Sequence, residues 1–225
     1  MNRISVAALW ATALFSAFQT QGAKQKPLVD YINPLIGAST DDRMNPGKTF
    51  PGAATPFGMV QLSPDTITGG DNGSGYSYEH STIEGFSFTH MSGIGWYGDL
   101  GNFLVMPTTG KLKTNCGLKG AEDGYRSRFR HATEIAKAGY YAVTLDDYRI
   151  RAEATAGPRA GILRFTFPKS DQSRIHIDLA RRIGGTSTQQ YVKVVGKDAI
   201  EGWMRCPPEG GGWGHGDGKA NYCVY

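Results

Sequence analysis

From Gly110 to Gly196 the chain breaks repeatedly at Gly, Pro, Asp or Ser. The pieces between the breaks, KLKTN, YRSRFRH, GYYAVTL, YRIRAEATA, AGILRFTFP, RIHIDLA and QYVKVVG, are short and rich in β-branched and aromatic residues. A helix needs longer uninterrupted runs with apolar residues three and four apart, so this pattern confines the region to strands. Alternation is clear over Arg149 to Ala154. It recurs over Ser173 to Leu179, where Ile175, Ile177 and Leu179 fall on one face and Arg174, His176 and Asp178 on the other, a face half buried and half wet. Only Ala132 to Ala138 hints at a helical turn, and Gly139 stops it. Upstream, Pro51, Pro56 and Pro64 rule out helix in KTFPGAATPFGMVQLSPDT and leave Met59 to Leu62 as a pairing strand. This strand spacing predicts an all-β chain, a large antiparallel β-sandwich.

Arg3, the apolar run within Ile4 to Phe18 and the small-residue stretch Thr20 to Ala23 read as a signal peptide over residues 1–23, with cleavage after Ala23. The run falls short of the roughly 20 residues a membrane span needs. The mature chain, 24–225, is therefore expected to be periplasmic or secreted, with no membrane span after cleavage. Disulfides persist in that environment, and Cys206 with Cys223 would close a Gly-rich loop, leaving Cys116 over. Lys and Arg number 24 against 20 Asp and Glu, a net charge of +4 spread along the chain. Nucleic-acid binding calls for a basic stripe, which is missing here. Arg126, Arg128 and Arg130 alternate and are expected to form a solvated face.

The densest concentration of candidate chemistry is Gly73 to Pro107, GSGYSYEHSTIEGFSFTHMSGIGWYGDLGNFLVMP. Gly93, Gly95, Gly98 and Gly101 let backbone turn tightly and approach a ligand. Tyr76, Tyr78, Trp96 and Tyr97 offer apolar faces with a polar edge, which suit the C–H face of a pyranose. The same composition also suits a glycine-rich hairpin connection whose aromatics belong to the core. His90 is placed either to bond a sugar hydroxyl or to orient a neighbouring loop. Asp99, between glycines, reaches a ligand or caps a turn. Asp65, Asp71 and Asn72 lie in a loop with calcium-type oxygens but without EF-hand spacing, and are read as a solvated turn. Asp146 and Asp147 are adjacent, and adjacent residues on a strand point to opposite faces, so they cannot flank one glycosidic bond; in a turn after GYYAVTL they are expected to cap and to be solvated.

Taken together, DYINPLIG, TFPGAATPFGMVQLSPDT, SGYSYEHSTIEGFSFTHMSGIGWYGDLGNFLVMPTTG, GYYAVTLDDYRIRAEATA and RFTFPKSDQSRIHIDL resemble the amino-terminal domain of the family 92 glycoside hydrolases, the exo-acting α-mannosidases of bacteria. The likeness covers Leu28 to Tyr225. It implies a β-sandwich that packs against a carboxyl-terminal (α/α)6-barrel catalytic domain, with mannose-containing glycans as substrates, calcium as cofactor, and hydrolysis with inversion by a general acid and a general base. No residue of this chain matches the family's catalytic carboxylates, so none is assigned a catalytic role. Substrate contacts carry over to His90, Ser92, Gly93 and Gly95, preceded by Ser74, Gly75 and Tyr76. Trp96 and Tyr97 stand where a small residue is expected, a departure expected to alter the linkage or leaving sugar accepted. The chain ends in EGWMRCPPEGGGWGHGDGKANYCVY, whose last residues open like a strand, and is expected to be part of a longer protein inactive without its remainder. The alternative reading is a non-catalytic carbohydrate-binding module.

Overall fold

The computed structural model describes residues 25–41, 47–66, 74–93, 100–183, 185–207 and 222–225; the expected signal peptide lies outside them. The chain divides into two units, Met1–Tyr31 and Ile32–Tyr225. In the first, Leu28–Tyr31 forms a turn of 3-10 helix. The second is built from strands β1 (Ala53–Ala54), β2 (Gln61–Asp65), β3 (Thr82–Ile83), β4 (Gly85–Ser87), β5 (Leu104–Thr108), β6 (Ser127–Arg128), β7 (Ile135–Lys137) and β8 (Tyr140–Leu145). They are followed by β9 (Ile150–Ala156), β10 (Gly161–Thr166), β11 (Arg174–Asp178), β12 (Arg181–Arg182), β13 (Gly185–Thr186), β14 (Gln189–Val195), β15 (Ala199–Cys206) and β16 (Tyr222–Val224). The expected all-β, antiparallel architecture is what the chain adopts.

A five-stranded sheet, β1-β2-β4-β5-β11, faces a four-stranded sheet, β10-β9-β8-β7. Leu62, Phe86 and Met106 of the first meet Tyr141, Val143, Ile150 and Ala152 of the second in one buried cluster, and the Phe86 and Phe165 rings lie 6.1 Å apart across it. Strand β9 shows why this layering follows from sequence. Ile150, Ala152, Ala154 and Ala156 point inward while Arg151, Glu153 and Thr155 alternate outward. On the wet side Glu153 pairs directly with Arg164 across the ladder and accepts the Tyr140 hydroxyl at 2.7 Å. The Arg164 guanidinium, then the Tyr140 hydroxyl, hold the Glu153 carboxyl down at about 2, against an ordinary 4.5. That contribution is complete above pH 4.5 and disappears as pH falls toward 2. Acid unfolding of Glu153→Gln, followed by circular dichroism, should be shallower than that of the parent across this window; identical curves would count against the pairing.

Four expectations need correction. The segment Ala132 to Ala138 is not helical; a short 3-10 turn at His131–Thr133 gives way to β7, which pairs back on β8. Arg126 is buried rather than solvated. Strand β6 is only two residues long, so no continuous face links Arg126 to Arg128 and Arg130, and Arg126 turns inward onto Glu84. The alternation in β11 is present, but its apolar side is the wetter one: Ile175 and Ile177 are 57% and 42% exposed, while His176 packs against Tyr125 and bonds Thr108 Oγ1 at 2.7 Å. Cys206 and Cys223, expected to pair, are not bonded to each other in this structure. Cys206 pairs with Tyr222 and Cys223 with Arg205, so the two thiols leave opposite faces of the β15–β16 ladder. Asp146 and Asp147, by contrast, sit as expected in a turn, where each is held by its own arginine, Arg130 and Arg128.

Candidate functional site

The candidate site is organised by the outer end of β2 and the segment leaving β4. Alternation in β2 sends Leu62 into the core and puts Ser63 and Asp65 on the other face. Register sets Ser63 opposite Ser87 and Asp65 opposite Gly85. The chain then turns at Thr89 and lays His90 back over this polar row. His90 Nε2 lies 2.9 Å from Asp65 Oδ1 and 3.2 Å from Ser87 Oγ, its Nδ1 lies 2.6 Å from Gln61 O, and the Phe50 ring tilts over it at 5.4 Å.

Both side chains of the pair are fully buried. A backbone carbonyl only accepts, so Nδ1 carries a proton. A second proton must lie between Nε2 and Oδ1, on one atom or the other, and the pair as a whole is uncharged. Burial pushes the Asp65 carboxyl up, with His90 pulling against it. Asp65 Oδ2 has no hydrogen-bond partner among the described residues. Gly75 backs directly onto this pair: a Cβ there would stand 2.4 Å from Asp65 Oδ1 and 3.2 Å from the His90 ring, in a residue already at φ +75°. The Gly75 carbonyl accepts Thr66 N–H at 2.9 Å, tying the 74–77 turn to the end of β2.

The segment that His90 opens is closed at its base. Thr89 Oγ1 donates to Asn102 Oδ1 at 2.9 Å while accepting the N–H groups of Gly101 and Asn102 at 3.1 and 3.2 Å. Gly101 N–H also reaches the Thr89 carbonyl at 2.8 Å. On the entering arm, Gly93 N–H donates to Lys48 O at 2.8 Å. Ser92 and Gly93 are exposed.

The residues singled out from sequence thus separate. Ser92 and Gly93 lie on an open arm. His90, Ser74 and Gly75 lie beneath it, with Ser74 Oγ donating to Tyr76 O at 3.1 Å. His90 takes the second of its two expected roles, orienting the loop, because both ring nitrogens are engaged and buried. Tyr76 does not present a stacking face: its ring is wholly buried and its hydroxyl donates to Glu134 Oε1 at 2.9 Å, a carboxylate shared with Tyr141 at 2.6 Å and His131 at 2.7 Å. Gly95, Trp96, Tyr97 and Asp99 lie outside the described residues. Asp65, expected in a solvated turn, is the buried anchor, and neither Thr89 nor Asn102 was marked by local sequence pattern. Asp71 and Asn72 also lie outside the described residues. Buried as they are, Asp65 and His90 cannot reach a glycosidic oxygen; what they do is hold the open arm in place.

The Glycosyl hydrolase family 92 N-terminal domain model matches residues 31–225. The chain belongs to glycosyl hydrolase family 92. This family 92 domain is similar in structure to the family GH92 α-mannosidase BT3965 from Bacteroides thetaiotaomicron, with a TM-score of 0.74 and 40% identity over 81% of this chain and 24% of that one. It is also similar to the GH92 family glycosyl hydrolase ccman5, with a TM-score of 0.64 and 26% identity over 85% of this chain and 25% of that one. An uncharacterized secreted glycosidase of Arthroderma benhamiae is 30% identical over 141 residues, 63% of this chain and 17% of the relative. The chain therefore spans a quarter or less of the length of these relatives.

Proposed function

We propose that this family 92 domain is the substrate-contacting amino-terminal part of an exported α-mannosidase that removes terminal α-mannosides from glycans. The observation that carries the reading is the Ser92–Gly93 arm, open to solvent and fastened from below by the Asp65–His90 pair, in a chain 40% identical to an α-mannosidase. In this reading Ser92, Gly93, Gly95, Trp96, Tyr97 and Asp99 contact the sugar, while a carboxyl-terminal catalytic domain supplies the acid and the base for inversion. In this reading calcium, the cofactor that the family resemblance implies, is held mostly by the carboxyl-terminal domain. Export rests on the amino-terminal sequence and on the secreted relative; no described helix is long and apolar enough to cross a membrane.

The test is kinetic. In the full-length enzyme acting on α-mannobiose, Trp96→Ala should lower kcat/KM about tenfold, equivalent to about 1.4 kcal/mol of lost transition-state binding. The 225-residue chain alone should leave an aryl α-mannoside intact. Unchanged kinetics in the variant would remove the loop from the pocket.

A further inference from the structure

Strands β14 and β15 form a hairpin with two chemically distinct faces. Directly paired residues of an antiparallel ladder share a face, so Gln189 with Arg205, Tyr191 with Trp203, and Lys193 with Glu201 stand together on one side. The other side carries Val192, Val194, Ile200, Gly202 and Met204, with Gln190 opposite Met204 at the base. Val192, Ile200 and Gly202 line an apolar cleft of about 400 Å³ with Val105, Ile177 and Leu179 of the main sheet. Near the hairpin's base, Met204 Sδ accepts from Asn102 Nδ2 at 3.9 Å, directly behind the clamp of the candidate site. These contacts seat the hairpin's base on the main sheet through Met204, while Val192, Val194 and Ile200 toward its tip stay 56%, 72% and 50% exposed; the Tyr191–Trp203 side faces the opposite way.

On the outward side the two aromatic rings lie 6.1 Å apart with planes only 21° off parallel. Tyr191 is 47% exposed and Trp203 is half-buried. Large aromatics are worth most when covered, so two near-parallel rings left wet form a surface awaiting a flat apolar partner. The flanks are polar at both ends. Gln189 accepts from Arg205 at 3.4 Å on one side, and on the other Lys193 faces Glu201 across the strands. Donors and acceptors are both present, and two cations against one anion give no strong field to select a polyanion. An apolar ring face bordered by hydroxyl groups is the chemistry of a neutral pyranose. We infer that the outward face of the β14–β15 hairpin is a second glycan-binding site, with Tyr191 and Trp203 as its platform and Gln189, Arg205, Lys193 and Glu201 at its rim, facing away from the candidate active-site loop.

That the glycan is a mannoside rests on the proposed function; that it is a pyranose does not. The experiment is affinity electrophoresis of the 225-residue chain through gels containing yeast α-mannan or laminarin, a β-glucan, with circular dichroism to confirm folding. Mannan should retard the parent chain, and Trp203→Ala should weaken that retardation about tenfold, as loss of a central aromatic does in other interfaces. Tyr191→Ala, at a more exposed position, provides the same test should the tryptophan variant unfold, and Trp203→Phe should keep most of the binding. In the full-length enzyme Trp203→Ala should leave hydrolysis of a small aryl α-mannoside unchanged. Retardation by laminarin alone, abolished in Trp203→Ala, would uphold this site while counting against the mannosidase reading. Absence of retardation in both gels, or equal retardation of the parent and both alanine variants, overturns the site.

Discussion

Asp65→Ala will cost the domain about 3–5 kcal/mol, the range expected when one member of a buried, hydrogen-bonded pair is removed and the other left behind. The His90 imidazole would keep its bond to Gln61 O but lose the partner that holds the second proton. Against a typical stability of about 5–15 kcal/mol, urea denaturation will read this easily. Asp65→Asn separates the hydrogen bond from the proton. An amide N–H donates to Nε2 of a neutral ring, so this variant should lose less than half as much. Equal losses in the two variants would mean that packing, not the shared proton, holds His90. The pH dependence has a definite sign. Because the Asp65 carboxyl is pushed above its ordinary 3.8, by burial first and with His90 opposing, its contribution is full below that value and fades as pH rises through the raised one. The advantage of the parent over Asp65→Asn should therefore shrink between acid and neutral pH.

Arg126→Ala will have a comparable effect by a different route. Glu84 is nearly inaccessible and lies between two guanidinium groups, Arg126 on Oε1 and Arg181 on Oε2 at 3.2 Å. Arg126 also donates to Thr82 Oγ1 at 3.2 Å and to the Leu118 carbonyl at 3.3 Å, so three segments of chain meet at one side chain. Removing it leaves a buried carboxylate with half of its compensation, again a loss of about 3–5 kcal/mol. Replacing both partners with apolar residues of similar size, Glu84→Leu with Arg126→Met, should be less damaging than Arg126→Ala alone, because no charge is then stranded. A double-mutant cycle by thermal denaturation will measure this; strict additivity would show that the two side chains are not coupled. The outcome bears on the site as well, since Glu84 N–H donates to Asp65 O at 2.7 Å.

What could be read from sequence was what depends on neighbours along the chain. The strand pattern after Gly110 needs only local alternation, and β8 and β9 appear where GYYAVTL and YRIRAEATA place them. The open Ser92–Gly93 arm follows from glycine and small polar residues in a short window. The rest depends on register and on contacts between distant segments. Asp65 and His90 meet only because β2 and β4 pair with Ser63 opposite Ser87, and no periodicity encodes that. Tyr76 reads as a surface aromatic until Glu134, far along the chain, accepts its hydroxyl. Cys206 and Cys223 reach adjacent strands, as a loop-closing pair should, but one step out of phase. Tyr191 and Trp203 carried no signal, because a stacked pair across a hairpin is visible only once the ladder is known.

Thr89 and Asn102 join the two ends of the candidate loop within a single cluster of hydrogen bonds, and that cluster is itself seated on the sheet. His90 between them is buried in the scaffold, but Ser92 and Gly93 beyond it stand on the open arm, clear of the strands. If the arm meets the sugar as proposed, a lineage can exchange what it recognises by rewriting these open positions, and the strands beneath need no compensating change.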